Sequence, residues 1–153
     1  MFDEKVKTLF EALGDHRFMV LATSQNNQVT ARTMSFIVYK QKLYFQTELT
    51  LTKAQQLAAN KNVAVCCNNY QIEGTCREIG HPCTEQNSFF LNLFQTHYEG
   101  SYKAYSHLDN ERVYEVTPGK ITVWDYEGGK PYRDYYDFES KTYRKEYYPL
   151  VNE

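Results

Sequence analysis

The chain has 153 residues, 42% of them hydrophobic and 24% charged, an average globular balance that speaks against extensive disorder. Lys and Arg number 17 against 19 Asp and Glu, and the net charge of −2 lacks the electrostatic footprint of a general nucleic-acid binder. No apolar run reaches the ~20 residues of a membrane-spanning helix, and the acidic start Met1-Phe2-Asp3-Glu4 lacks the order of a secretory signal. The expectation is a single domain over residues 1–153 in a cytoplasmic protein that needs no membrane.

The first element is an amphipathic helix, with Phe2, Val6, Leu9, Phe10 and Leu13 at helical spacing and Gly14 as a left-handed stop. Two β-rich runs follow, Arg17 to Ser24 and Gln28 to Lys40, joined by a hairpin turn at Gln25-Asn26-Asn27. A third strand, Lys42 to Thr47, comes after a very short connection. Thr52 to Asn60 is a short helix with Thr50 or Thr52 as its N-cap and Asn60 as its stop. Val63 to Cys67 and Gln71 to Ile79 are strands, and Gly74 within the second marks a bulge or a close backbone approach.

Thr84 caps a third helix running to about Tyr98, with Phe89, Phe90, Leu93, Phe94 and His97 along one face. Between Gln86 and Tyr98 it carries no formal charge apart from what histidine takes up, so it is expected to be buried or covered by a partner. Val113 to Val116 and Ile121 to Trp124 are further strands. Gly128-Gly129 turns the chain into a tyrosine-rich C-terminal arm, about 126–153, of edge strands or partial order. Aromatic residues make up 16% of the sequence, a bias toward strands, a core, a flat ligand or a partner surface.

Hairpins rather than helices join the first three strands, which excludes all-parallel winding. Neither GxGxxG nor GxxxxGK[ST] occurs. The expected fold is mainly β (α+β), an antiparallel barrel of six to seven strands with about three flanking helices. The cysteines Cys66, Cys67, Cys76 and Cys83 form no CxxC pair, and a reducing compartment suits them. Cys76, His81 and Cys83 lack an evident fourth ligand, so no metal site is assigned.

Two residues contradict their slots. Arg32 shares a strand face with Thr30, Met34, Phe36 and Val38, where a buried cation needs an anion unless it snorkels out at the sheet edge. Lys53 opens a helix, where the dipole disfavours a cation unless a phosphate is bound there; otherwise it is an exposed lysine on a turn. Thr47, Thr50 and Thr52 add hydroxyl donors at that turn. If the second and third strands pair, both cations lie at one barrel end and suit a terminal phosphomonoester. No base for phosphate chemistry accompanies them, so the phosphate is read as an anchor of a cofactor.

The ordered segments Phe18-Met19-Val20-Leu21-Ala22-Thr23, Ala31-Arg32-Thr33-Met34-Ser35-Phe36, Leu43-Tyr44-Phe45-Gln46-Thr47, Thr52-Lys53-Ala54-Gln55-Gln56-Leu57 and Asn60-Lys61-Asn62-Val63-Ala64-Val65 resemble the pyridoxamine 5′-phosphate oxidase-like, FMN-binding split-barrel superfamily. Ile72-Glu73-Gly74-Thr75 continues the match, which is close over roughly 17–79 and loose over 112–126. The resemblance implies a homodimer with FMN at the subunit interface. It implies that Arg32 and Lys53, aided by Thr52, hold the phosphate, and that Arg32, Thr33, Met34 and Ser35 run along the flavin and its ribityl chain. Gln46 and Thr47 would contact the flavin or its ribityl-phosphate arm. Trp124 resembles a tryptophan that the oxidases place near the flavin, often from the partner chain, and its alternative is a core anchor. Asn69 matches a polar position near the ring.

The vitamin-pathway oxidases carry a basic residue soon after the phosphate arginine and an Arg-x-His pair near the C-terminus. Here Ile37 and its neighbours are apolar and Arg133-Asp134-Tyr135 has no histidine, so efficient oxidation of pyridoxamine 5′-phosphate is not expected. The resulting expectation is an FMN oxidoreductase passing electrons from a reduced donor such as NAD(P)H to a small acceptor. Its rivals are a non-catalytic module holding FMN or haem, and an oligonucleotide-binding barrel that the net charge opposes. Tyr98, His97 and His107 are the candidate acids or bases, none compelling.

Overall fold

In the computed structural model, which describes residues 1–149, strands β1 (His16–Gln25), β2 (Gln28–Tyr39) and β3 (Lys42–Glu48) form consecutive hairpins. Asn26 and Asn27 supply φ +52° and +62°, and Lys40 and Gln41 φ +49° and +61°. Two consecutive positive φ values match the right-handed twist of the flanking strands, so these two-residue loops fix the register. Strands β4 (Asn62–Cys67), β5 (Tyr70–Gly80) and β6 (Glu111–Glu127) continue the sheet in the order β3-β2-β1-β4-β5-β6. Pairing of β3 with β6, from Leu43↔Val116 to Glu48↔Glu111, closes it into a six-stranded antiparallel barrel. Strands β7 (Lys130–Asp137) and β8 (Thr142–Tyr147) extend the far end of β6 as two extra strands. The tyrosine-rich arm is therefore edge-strand structure as far as it is described; its residues 150–153 lie outside the described residues.

The barrel interior holds Met19, Leu21, Phe36, Val38, Leu43, Phe45, Val65, Ile72, Val116 and Ile121, and helix α1 (Phe2–Leu13) packs Val6, Leu9, Phe10 and Leu13 against them. Gly14 ends α1 at φ +84° but ψ −175°, a glycine conformation other than the left-handed one expected. A second cluster lies outside the barrel, where Ile37, Tyr44 and Val113 meet Phe90, Phe94 and Tyr98. Strand residues 36–38 and 43–45 are thus covered on both faces, which explains their unbroken apolar character.

Three elements differ from expectation. The Thr84–Tyr98 helix is a 3-10 turn (Glu85–Asn87), then α3 (Ser88–His97), a break at Tyr98 with φ −134°, and α4 (Glu99–Tyr105). The break survives because the Tyr98 hydroxyl donates to the Phe36 carbonyl at 2.8 Å and its ring fills the second cluster. Helix α2 (Thr52–Ala59) takes Leu51, not Thr50 or Thr52, as its N-cap, with no side-chain cap bond. Strand β6 runs through Pro118 without stopping, because its register with β5 shifts between Glu73 and Gly74. A Cβ on Gly74 would meet the Thr117 carbonyl oxygen at 2.4 Å, so the close approach expected there is real.

Candidate functional site

The barrel splits where β2 and β3 part. Their ladder covers only Ile37↔Tyr44, Val38↔Leu43 and Tyr39↔Lys42, whereas β1 pairs with β2 along His16↔Ile37 to Gln25↔Gln28. Beyond Ile37, β3 leaves β2 and runs with β6, so β2 keeps an edge with no strand beside it. A cavity of about 450 Å³ opens at this split. Thr33, Met34 and Ser35 line it from β2, Gln46, Thr47 and Glu48 from β3, and Lys53 from α2. Helices α3 and α4 and the segment after them cover it with Phe94, Ser101, Tyr105 and Leu108, and Glu111 closes the end.

Arg32 lies just behind this cavity. Its Nη1 donates to the Leu21 carbonyl at 3.2 Å and to Thr23 Oγ1 at 2.9 Å, and Nη2 donates to Thr30 Oγ1. Both hydroxyls then donate to Gln56 Oε1, at 2.5 and 2.8 Å. Gln56 is 5% exposed and sits one turn after Lys53 on α2, so one helix face carries the lysine and the acceptor that fixes the arginine's hydroxyls. Among the described residues neither Arg32 nor Lys53 is within ion-pair distance of a carboxylate. Burial lowers the pKa of Arg32; burial and then the Arg32 charge lower that of Lys53, with Glu111 pulling the other way.

Glu111 is 4% exposed, and burial followed by the Glu48 charge pushes its pKa up to about 7, against the pull of Lys53 and a hydrogen bond with Gln46. Gln46 is buried and accepts from Ser106 Oγ at 2.9 Å. The cavity thus joins one lining cation, Lys53, with Arg32 near it, to hydroxyl and amide groups, a carboxyl that titrates near neutrality and an open strand edge. That combination suits a ligand with an anionic end and a polar, elongated body.

Thr33, Met34, Ser35, Gln46, Thr47 and Lys53 meet in this cavity, with Arg32 behind it and Thr52 exposed at the first turn of α2. Trp124 does not join them within one chain: it is 48% exposed and lines a separate cavity of about 580 Å³ with Tyr70, Arg133, Tyr135 and Arg144. A core-anchor role is excluded by that exposure. Asn69 is in the β4–β5 turn, donating from Nδ2 to the Trp124 carbonyl at 2.8 Å. Tyr98 is buried on the Phe36 carbonyl, and His107 Nδ1 lies 3.4 Å from Cys83 Sγ, so neither lines the cavity. Cys76 is in the barrel core, while His81 Nε2 bonds the Leu108 carbonyl and its Nδ1 accepts from Cys83 N at 3.0 Å. Gln56, Glu111, Ser101, Tyr105 and Leu108 had no signal in the sequence beyond polarity or apolarity.

The sequence model of the family described as "Pyridoxamine 5′-phosphate oxidase" matches residues 2–125. No curated protein sequence matches. Solved structures share the fold at low identity. General stress protein 26 from Bacillus anthracis is 21% identical with a TM-score of 0.59, over 77% of this chain and 89% of that one. A pyridoxamine 5′-phosphate oxidase-related, FMN binding protein from Nostoc punctiforme is 15% identical with a TM-score of 0.60, over 97% and 93%. HutZ, the haem storage protein from Vibrio cholerae, is 10% identical with a TM-score of 0.63, over 80% and 94%.

Proposed function

The chain belongs to the pyridoxamine 5′-phosphate oxidase-like split-barrel family, and from that premise we propose that it is a single-domain, FMN-binding oxidoreductase. The observation that carries this reading is the pair of cations without carboxylate partners, Arg32 and Lys53, beside a cavity lined by the open edge of β2. A phosphate dianion satisfies both charges, and the amides at the start of α2 add donors to it. In this reading Arg32, Lys53 and Thr52 hold the phosphate, Thr33, Met34 and Ser35 run along the ring and ribityl chain, and Gln46 and Thr47 hydrogen-bond the flavin or its arm. Bound FMN supplies the electron transfer, from a reduced donor such as NAD(P)H to a small acceptor. The chain's own part is to anchor the phosphate, orient the ring and exclude water with Phe94, Tyr105 and Leu108.

The functional unit is a cytoplasmic homodimer in which Trp124 of the partner subunit stands near the flavin. Four free cysteines support the compartment, and no helix among the described residues is long and apolar enough to cross a membrane. Pyridoxamine 5′-phosphate is not an efficient substrate: Ile37 is fully buried beneath α3, and Arg133-Asp134-Tyr135 lacks the histidine. Haem fits the cavity less well than FMN, because no histidine or cysteine lines it.

The test is the visible absorption spectrum of the purified protein, repeated after denaturation. Flavin bands with one FMN released per chain support the reading. A colourless protein that takes up no added FMN overturns it. Reduction of the bound flavin by NADH or NADPH separates an oxidoreductase from a module that only holds the cofactor.

A further inference from the structure

Away from the flavin cavity, three side chains of ligand type converge where β1 begins and α3 ends. Asp15 precedes β1, His16 opens it and His97 is the last residue of α3. Asp15 Oδ1 lies 2.7 Å from His16 Nδ1 and 3.7 Å from His97 Nε2. The two imidazoles stack with centroids 3.7 Å apart and planes 9° from parallel. One ligand atom from each of the three residues lies within 4.8 Å of the others. An ion bound at about 2.0–2.2 Å holds its donors roughly 3–4 Å apart, as Asp15 Oδ1 and His97 Nε2 already stand. The stacked rings aim their lone pairs in parallel, so the His16 ring must rotate off His97 to share the ion. His16 and Asp15 are 44% and 56% exposed, which leaves the His16 ring free to turn its lone pair toward a shared centre.

The backbone that carries these groups is already fixed. Val38 N donates to the Asp15 carbonyl at 2.8 Å, and His16 stands opposite Ile37 in the β1–β2 ladder. On the other side, Tyr98 N donates to the Phe94 carbonyl and the Tyr98 hydroxyl to the Phe36 carbonyl, both at 2.8 Å. The carbonyl end of α3, ten residues long, favours a cation at His97. Among the described residues no lysine or arginine pairs with Asp15, and Arg17 is turned onto the carbonyls of Leu13 and Ala12.

We propose that Asp15, His16 and His97 bind a first-row transition ion of the imidazole-preferring class, such as Zn²⁺, Co²⁺ or Ni²⁺, and so tie the end of α3 to the start of β1. Two nitrogens and one carboxylate oxygen leave a position for water, and the nitrogens disfavour Mg²⁺ and Ca²⁺. The site is separate from the flavin cavity, and its existence is independent of the cofactor held there.

Calorimetric titration of the whole protein with Zn²⁺, together with the visible spectrum of its Co²⁺ form, tests the assignment. Expected are one ion per chain at this site, cobalt bands without thiolate charge transfer, and a melting temperature raised by Zn²⁺. His16→Ala and His97→Ala should each weaken binding by more than about tenfold, since loss of even an outer-shell partner costs that much. Cys83→Ser should leave it unchanged. Equal affinity in the His16→Ala/His97→Ala double variant, a thiolate-dominated cobalt spectrum, or no uptake of Zn²⁺ overturns the proposal. If the alanine variants do not fold, the wild-type cobalt spectrum and His97→Gln decide the question.

Discussion

Two clusters on the first residues of β6, one at Glu115 and one at Glu111, handle buried charge in opposite ways. Glu115 is 7% exposed, yet Tyr44 Oη donates to its Oε2 at 2.9 Å, Arg77 Nε to Oε1 at 2.9 Å, and Lys42 Nζ stands at 3.5 Å. Burial alone would raise its pKa, but the bonds from Arg77 and Tyr44 and the Lys42 charge outweigh it and hold the carboxyl below its usual range. At the other cluster burial lowers the pKa of both cations, the Arg32 charge lowers that of Lys53 further, and Glu111 is held up near neutrality. A cluster that closes its own charges braces the fold. One that leaves a lysine lining a cavity and an arginine near it, neither paired with a carboxylate among the described residues, fits the proposed anion site.

Removing the cations breaks the contrast most strongly. Arg32→Ala and Lys53→Ala should each weaken FMN binding roughly ten- to hundredfold, from charged hydrogen bonds of about 1.5–3 kcal/mol each. Fluorescence titration of the flavin-free protein measures it, and unchanged affinity in both variants removes these residues from the phosphate site.

Glu111 gives the next effect, and its sign is fixed by linkage. Its pKa rises from the model-compound value of 4.5 to about 7 on folding, so the folded state holds a proton that the unfolded chain has lost. Stability present below pH 4.5 is therefore lost as pH climbs toward 7, on the order of 2–3 kcal/mol. Glu111→Gln should flatten the urea-denaturation midpoint across that window, and a wild-type slope in the variant would count against a buried, raised carboxyl.

Glu115→Ala sharpens the comparison from the other side. It leaves the Tyr44 hydroxyl buried without its acceptor and should cost about 1–3 kcal/mol of stability, with FMN affinity unchanged in the folded fraction. Loss of affinity without loss of stability would mean that the two clusters are one site.

Much of the barrel was legible because its signals are local. The Asn26-Asn27 turn, the β2 and β3 apolar runs and the close approach at Gly74 follow from backbone sterics and alternation. Arg32 and Lys53 were visible because each contradicts its slot. The split between β2 and β3 was not, since a ladder ends where a third strand competes for the edge, and no residue of β2 announces that. Glu111 reads as one more acid at a strand start, and Gln56 as a polar residue on a helix. Asp15, His16 and His97 become neighbours only when α3 folds across β2, and the α3–α4 break rests on Tyr98 finding Phe36, a contact with no sequence signature.

The smallest effect decides the most about assembly. Trp124 stands opposite Arg133 on the outer face of β6, half exposed and edge-on to Tyr126 at 6.3 Å. Because its ring covers little of the core, Trp124→Phe should change folding stability by less than about 0.5 kcal/mol. An indole beside a flavin quenches its emission more strongly than a phenyl ring does. In a homodimer that brings Trp124 of the partner subunit to the flavin, the variant therefore keeps its FMN but emits more brightly. Unchanged emission at full FMN occupancy would return Trp124 to the outer sheet face, beside Arg133 and Tyr135, and leave the flavin site to be built from the β2–β3 split alone.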